Sequence, residues 1–234
     1  MRNLENELAI LRKSHNHLKI LVGFIAVATC SVLLIGAKAP PKNATFASID
    51  AERINIREPD GTLRLTISNR SSFPGAFVKN KEVEHPRDMA GFLFFNDEGT
   101  EQGGLIYNGR IAKNGKPSSG LSLTFDRYQQ DQQMQLLGVD DDGTHFAGLT
   151  FNDVVDGTER PVFSSKDDAE NEAGNYAITK RVFLGKGPSQ NSTLQLLDAK
   201  GKPRLELRVS STGEARIVFL DASGKPTKEI SGER

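Results

Sequence analysis

Hydrophobic and polar residues alternate with a period of two over much of the chain beyond residue 44. Leu63, Leu65 and Ile67 alternate with arginine, threonine and serine, and the segment 204–209 repeats the pattern. A period of two places alternate side chains on opposite faces of a strand, with the apolar set toward a core. The pattern therefore predicts half-buried β-strands.

A four-residue turn motif recurs between these predicted strands. Asp, Asn, Ser or Glu stands at its first position and Gly at its fourth, as in a type I turn that closes a hairpin through a glycine with positive φ. The segments are Glu58–Gly61, Asn96–Gly99, Asp140–Gly143, Asp198–Gly201, Ser210–Gly213 and Asp221–Gly224. Together they predict an all-β fold, an antiparallel domain of hairpins or a meander.

The spacing of the turns does not determine how the strands are arranged in that domain. The early turns lie about 40 residues apart, like the blades of a small β-propeller, whereas the C-terminal ones are close together, as in a meandering barrel or sandwich. Two stretches break the alternation. Ser71–Asp88 is predicted to be a long loop, and Asp153–Thr179 an exposed insertion with one helical turn.

One run of the chain carries no charge: residues 20–37, ILVGFIAVATCSVLLIGA, between Lys19 and Lys38. An eighteen-residue helix covers roughly 27 Å, close to the hydrocarbon thickness of a bilayer, so the run predicts a transmembrane helix. Its rival is a secretory signal peptide cleaved after residues 37–39, but the run is long for one and Pro40 follows directly. The predicted division is a cytoplasmic tail 1–19, the span 20–37, a linker 38–43 and an extracytoplasmic β domain 44–234.

The tail adds a possible oligomer contact. Leu4, Leu8, Leu11, His15, Leu18 and Val22 recur at alternating spacings of four and three, which is typical of a short coiled-coil seam. A homodimer through tail and span is one reading, and a single amphipathic helix that continues into the membrane is the other. Lys and Arg are only modestly enriched before the span, which favours a cytoplasmic N-terminus.

Composition narrows the chemistry. Lys plus Arg and Asp plus Glu are both 30, which predicts no nucleic-acid footprint. Cys30 is the single cysteine and lies in the apolar run, so the β domain has neither disulfides nor cysteine-ligated metal. His85 and His145 form no metal-binding motif, and no G-x-S-x-G elbow is present. We therefore predict neither a metal nor a cofactor.

The remaining candidate site is a polar set around two turns. Paired carboxylates held about 5–9 Å apart can catalyse glycoside hydrolysis, and solvated turn faces are the plainer interpretation. The candidate ligand-binding residues are Asn96, Asp97, Glu98, Glu101, Asp126, Tyr128 and Asp131. No residue is predicted to be catalytic.

Several long motifs occur in order along the β domain: IDAERINIREPDGTLRLTISN, GFLFFNDEGTEQGGLIYNG, LTFDRYQQDQ, AGLTFND and LLDAKGKPRLELRVSSTGEARIVFLD. In these motifs the chain resembles a family of uncharacterised bacterial proteins that join an N-terminal span to such a domain. The resemblance implies a bacterial, membrane-associated protein and brings no activity with it.

These observations predict a single-pass cell-membrane protein whose β domain, outside the cytoplasm, binds another envelope component, either a protein or a glycan. Its loops are where recognition is expected. Two other hypotheses stay open: a carbohydrate-active hydrolase that uses the acidic set, and a purely structural spacer.

Overall fold

The computed structural model describes residues 2–36, 43–85, 87–154 and 178–232. The chain divides into two compact units, Met1–Ile49 and Asp50–Arg234. Most of the predicted insertion 153–179 and nearly all of the predicted linker 38–43 lie outside the described residues. The predicted domain boundaries stay a prediction.

The first unit contains one helix, α1 (Arg2–Gly36), which runs through both the predicted tail and most of the predicted span. Leu4, Leu8, Leu11 and Leu18 of the seam are exposed on it. Charged and polar residues occupy much of its first half. Within the part of the chain that the structure describes, no helix is both long and apolar enough to cross a membrane. The predicted span is therefore not supported.

The second unit consists of antiparallel β-strands joined in sequence order. The first seven strands are β1 (Arg53–Arg57), β2 (Leu63–Ser68), β3 (Ala76–Val78), β4 (Lys81–Val83), β5 (Ala90–Phe95), β6 (Glu101–Ile111) and β7 (Pro117–Asp126). The others are β8 (Gln132–Asp141), β9 (Thr144–Val154), β10 (Ile178–Lys186), β11 (Ser192–Leu197), β12 (Pro203–Val209), β13 (Ala215–Leu220) and β14 (Pro226–Ser231).

Twelve of these strands form one sheet in the order β1-β2-β5-β6-β7-β8-β9-β10-β11-β12-β13-β14. The predicted all-β meander is confirmed. Among the described residues, β1 and β14 each pair with one neighbour only, so the sheet is open. The predicted closures are therefore wrong: the strands neither close into a barrel nor group into propeller blades, because one continuous ladder of hydrogen bonds joins them.

Five of the six predicted turns have the expected backbone. In the last of them, the amide of Gly224 donates to the carbonyl of Asp221 at 3.0 Å, and Gly224 has a φ of 83°. The sixth differs, because β8 continues to Asp141 and only Asp142 and Gly143 turn, with φ values of 47° and 82°. Two positive φ values identify a type I′ hairpin turn rather than type I.

The predicted loop Ser71–Asp88 contains a second, two-stranded sheet, the hairpin β3–β4. Its tip is Lys79 and Asn80, whose φ values of 48° and 62° are left-handed. The amide of Lys79 donates to the hydroxyl of Thr100 at 2.9 Å, and the side-chain oxygen of Asn80 accepts from the amide of Leu63 at 3.1 Å. The loop prediction is wrong here, because these tertiary contacts fix the backbone.

The hydrophobic core lies between this hairpin and the sheet. Its buried members are Leu63, Phe77, Leu93 and Phe95. Phe77 of β3 and Phe95 of β5 pack edge to face with ring centroids 5.1 Å apart. We call the side of the sheet that carries this core the covered face and the other side the apolar face.

Candidate functional site

The predicted polar residues lie along one edge of the sheet. Strand direction alternates in a meander, so every second turn reaches the same edge. The turn 96–100 between β5 and β6 and the turn 127–131 between β7 and β8 are neighbours there. This edge brings all seven candidates into two adjacent turns and the strand ends beside them.

Asn96 and Asp131 serve the turns themselves. The side-chain oxygen of Asn96 accepts from the amides of Glu98 and Thr100 at 3.0 and 2.9 Å. A carboxylate oxygen of Asp131 accepts from the amide of Gln132 at 2.9 Å. Such bonds within a turn are why these residue types favour turns. Both side chains therefore have a structural role.

Glu98 and Tyr128 are brought into direct contact. The Tyr128 hydroxyl donates to Glu98 Oε1 at 2.7 Å, and Gln129 Nε2 donates to Glu98 Oε2 at 2.9 Å. The bond to the Glu98 carboxylate raises the pKa of Tyr128 above its ordinary value, because that bond and the negative charge favour the neutral phenol. The contact ties the two turns together.

The other three acids lie apart from that contact. Asp97 is almost fully exposed and forms an ion pair with Arg64 of β2. Glu101 is buried and accepts from Arg87 Nη2 at 2.8 and 3.1 Å. Asp126 is buried at the end of β7. These carboxylates thus differ in burial and in partner, unlike the two carboxylates of a glycosidase, which share one open cleft.

Metal binding finds no support in the same region. Among the residues that the structure describes, no three His, Cys, Asp or Glu side chains are grouped so that they could hold a metal ion. The two cavities described below are lined by none of the seven candidate residues. The assignment of these residues to a ligand site stays a prediction.

The most unusual feature of the sheet is a row of apolar side chains that crosses it. Each residue of this row is the registered partner of the next, so the row takes one residue from every strand of the large sheet. Its members are Ile54, Ile67, Phe92, Leu105, Leu123, Leu136, Leu149, Leu184, Leu194, Leu207, Ile217 and Ile230. All twelve are aliphatic or aromatic, and none is buried.

A parallel row beside it has the same character. Ten of its residues are apolar side chains, and the other two are Gly103 and Lys228. The row runs Ile56, Leu65, Phe94, Gly103, Phe125, Met134, Phe151, Val182, Leu196, Leu205, Phe219 and Lys228. The two rows define the apolar face. With strands about 4.8 Å apart, it extends for roughly 50 Å along the sheet.

The apolar face contains a groove over β10–β14. The groove has a volume of about 490 Å³. Its main apolar lining is Leu184, Leu194, Leu207, Val209, Ile217 and Ile230, and Arg208 and Arg216 also line it. We call it the C-terminal groove. A smaller cavity of about 160 Å³, lined by Tyr107 and Leu121 among others, lies over β6 and β7. The larger volume falls in the range of small-molecule sites.

On the covered face, in contrast, several polar side chains are buried. Thr66 is 0% exposed, and Ser68, Thr124 and Thr150 are also buried. The period of two separated the two faces except where the register shifts, as in β2, where Leu63 lies in the core and Leu65 and Ile67 lie on the apolar face. Polarity did not indicate which face is covered. The apolar face was missed because its extent depends on the register of twelve strands, although the alternation in each of them carried the signal.

Neither a family model, nor a curated protein, nor a solved structure matches the chain.

Proposed function

We propose that the protein is a non-catalytic binding module of the cell envelope, anchored to the membrane, which binds its partner on the apolar face. The observation that carries this proposal is the row of twelve apolar residues, none of them buried. Contiguous apolar surface of more than a few hundred Å² marks binding sites in soluble domains. This face favours binding of a partner that has apolar surface of its own.

The arrangement of the acids supports binding over hydrolysis. A glycosidase needs two carboxylates that face one bound sugar. Here Glu101 is paired with Arg87, Asp97 with Arg64, and Glu98 with Tyr128. The C-terminal groove is lined by no carboxylate. A scaffold that presents an apolar surface accounts for these observations without a reaction.

The anchor in this proposal comes from the sequence alone. Its support is the uncharged run 20–37 of the sequence, although no described helix is long and apolar enough to cross a membrane. Alkaline carbonate extraction of cells that make the full chain tests it: an anchored protein stays in the membrane pellet. A matched variant with two charges in the run, Val27→Lys with Leu33→Lys, should move to the supernatant. Release of the unaltered chain would contradict anchoring.

The binding face is tested with a photo-reactive amino acid placed in the full chain. Position 136 lies on the apolar face and is 46% exposed, whereas position 135, its neighbour in β8, points to the covered face. Irradiation in cells should yield adducts from position 136 and markedly fewer from position 135. Equal adducts from both positions, or none from position 136, would overturn the proposal.

A further inference from the structure

We infer that the C-terminal groove binds the acyl chain of an anionic lipid, whose head group pairs with lysines at the groove margin. This inference rests on the proposed function and names the partner for one part of the apolar face. It follows from the size of the groove, from its lining and from the charges around it.

The dimensions of the groove suit an extended hydrocarbon chain. Four strand spacings of about 4.8 Å separate β10 from β14, so the groove is roughly 19 Å across. The chains of one bilayer leaflet reach about 15 Å, half of the hydrocarbon thickness. Leu184, Leu207 and Ile230 of the lining come from the row that crosses the sheet and are 54%, 39% and 47% exposed. An acyl chain laid across the strands would cover all three.

The charges of this half of the sheet are sorted by face. On the strands from residue 182 onward, the charged side chains of the apolar face are Lys186 and Lys228, both exposed. Lys186 is two residues along β10 from Leu184, and Lys228 is two residues along β14 from Ile230. Each lysine therefore lies on an outer strand of the groove, beside its lining rather than in it, and no acid accompanies it on this face.

The covered face of the same strands holds the acids and their partners. Arg208 pairs with Glu206 at 3.4 Å, and Arg216 pairs with Glu214 and Glu229. Arg208 and Arg216 also line the groove, but these acids compensate their charges, whereas the strands from residue 182 onward place no acid beside the two lysines of the apolar face. A cationic margin around an apolar groove complements a carboxylate or phosphate attached to an acyl chain.

A second copy of the chain fits the groove less well. An isologous contact would place the same concave lining of the partner, with its Arg208 and Arg216, opposite it, and two facing hollows leave a void. It would also bring pairs of lysines from the two copies toward one another. A flexible chain fills a hollow of this kind without such a void.

The test uses the full chain in amphipol and a palmitic acid analogue with a diazirine at the end of its chain. After irradiation, adducts should map to peptides of β10–β14. Leu207→Glu should lower labelling about tenfold or more, because it places a charge where an apolar side chain contacts hydrocarbon. Glu206→Gln is the matched control on the covered face and should leave labelling unchanged.

The lysines are tested by charge reversal in the same assay. Lys186→Glu combined with Lys228→Glu should reduce labelling by the acid about two- to fivefold, the size of exposed ion pairs. Labelling by the corresponding fatty alcohol should not fall. Circular dichroism of each variant verifies that the sheet is folded, and Leu184→Glu provides a second apolar-face variant if Leu207→Glu does not fold.

Other results separate this inference from the proposed function. Adducts spread evenly over both faces, or labelling that Leu207→Glu leaves unchanged, would overturn the acyl-chain site. Crosslinks between two copies from position 136, without labelling by the probe, would also overturn it but would leave the apolar face as a binding face. Absence of any adduct at position 136 in cells would overturn the proposed function, whereas labelling of β10–β14 by the probe that Leu207→Glu abolishes would still support the acyl-chain site.

Discussion

The two faces of the large sheet differ in what covers them. On the covered face, hairpin β3–β4 packs Phe77 against Phe95 and Leu93, and these side chains are almost fully buried. On the apolar face, twelve apolar residues in register stay partly exposed. Thr66 is fully buried whereas its neighbour Ile67 is not. The burial of these two neighbours therefore does not follow their polarity.

The difference shows where the folding free energy and the binding surface are located. Burying apolar area stabilises the fold by about 25 cal/mol per Å², which the covered face obtains from the hairpin. The apolar face keeps that free energy available for a partner. Substitutions on the covered face should therefore lower stability, and substitutions on the apolar face should lower binding.

The largest effect is expected from Phe77→Ala. It removes a buried ring from the contact between hairpin and sheet, which typically costs about 3–5 kcal/mol of unfolding free energy. Urea denaturation monitored by circular dichroism measures it. Phe125→Ala is the matched control, because Phe125 is 45% exposed on the apolar face. Equal losses from the two variants would mean that the two faces do not differ in this way.

The second largest loss of stability is expected when the ion pair of Arg87 and Glu101 is broken. Both side chains are buried, with exposures of 9% and 7%. Arg87→Ala should cost about 3 kcal/mol, because it leaves a carboxylate with less compensation in a buried position. Arg64→Ala removes a pair to the exposed Asp97 and should cost less than about 1 kcal/mol.

A double variant distinguishes loss of charge compensation from loss of packing at that ion pair. Arg87→Met with Glu101→Gln removes both charges and should recover much of the loss, as expected when an uncompensated charge is the cause. If the double variant is as unstable as Arg87→Ala, packing rather than charge explains the effect.

Local features of this fold could be predicted from the sequence, and long-range ones could not. The strands and the turn at Asp221–Gly224 follow from period and turn chemistry, which act within a few residues. The hairpin tip at Lys79 was missed because contacts with Thr100 and Leu63 hold it in a left-handed backbone. The open sheet depends on pairing between whole strands, which turn spacing does not determine.

The candidate site shows the same limit. Asn96 and Asp131 carry the residue types of turns, and the structure uses them as turn residues. The contact of Tyr128 with Glu98 needs two turns to meet at one edge, which only the strand order establishes. The apolar row likewise requires a register that no single segment contains.

Leu136→Thr should have a smaller effect on stability. Leu136 is 46% exposed, and threonine keeps a high strand propensity, so the change should stay below about 1 kcal/mol. The same variant should lower the fluorescence of a dye that binds exposed apolar surface. A loss of stability like that of Phe77→Ala would show that the apolar face is part of the core after all.

The smallest expected effect concerns the turn between β13 and β14. The hydroxyl of Ser223 donates to Asp221 Oδ1 at 2.6 Å, and the amide of Lys225 donates to it at 3.0 Å. These bonds, that of the hydroxyl foremost, hold the pKa of Asp221 below its ordinary value. Because the folded-state pKa is the lower one, the ionised carboxylate stabilises the turn above the unfolded pKa of about 3.9.

This stabilisation should disappear as the pH falls through the folded-state pKa of Asp221. Asp221→Asn keeps an oxygen acceptor without the charge, so it should be slightly less stable than the unaltered chain at neutral pH and should approach it in acid. Ser223→Ala should move the carboxyl titration of Asp221, followed by carbon NMR, back toward its ordinary value. If the stability difference between Asp221→Asn and the unaltered chain is constant from neutral to acidic pH, the geometry of the turn stabilises this edge and the charge of Asp221 does not.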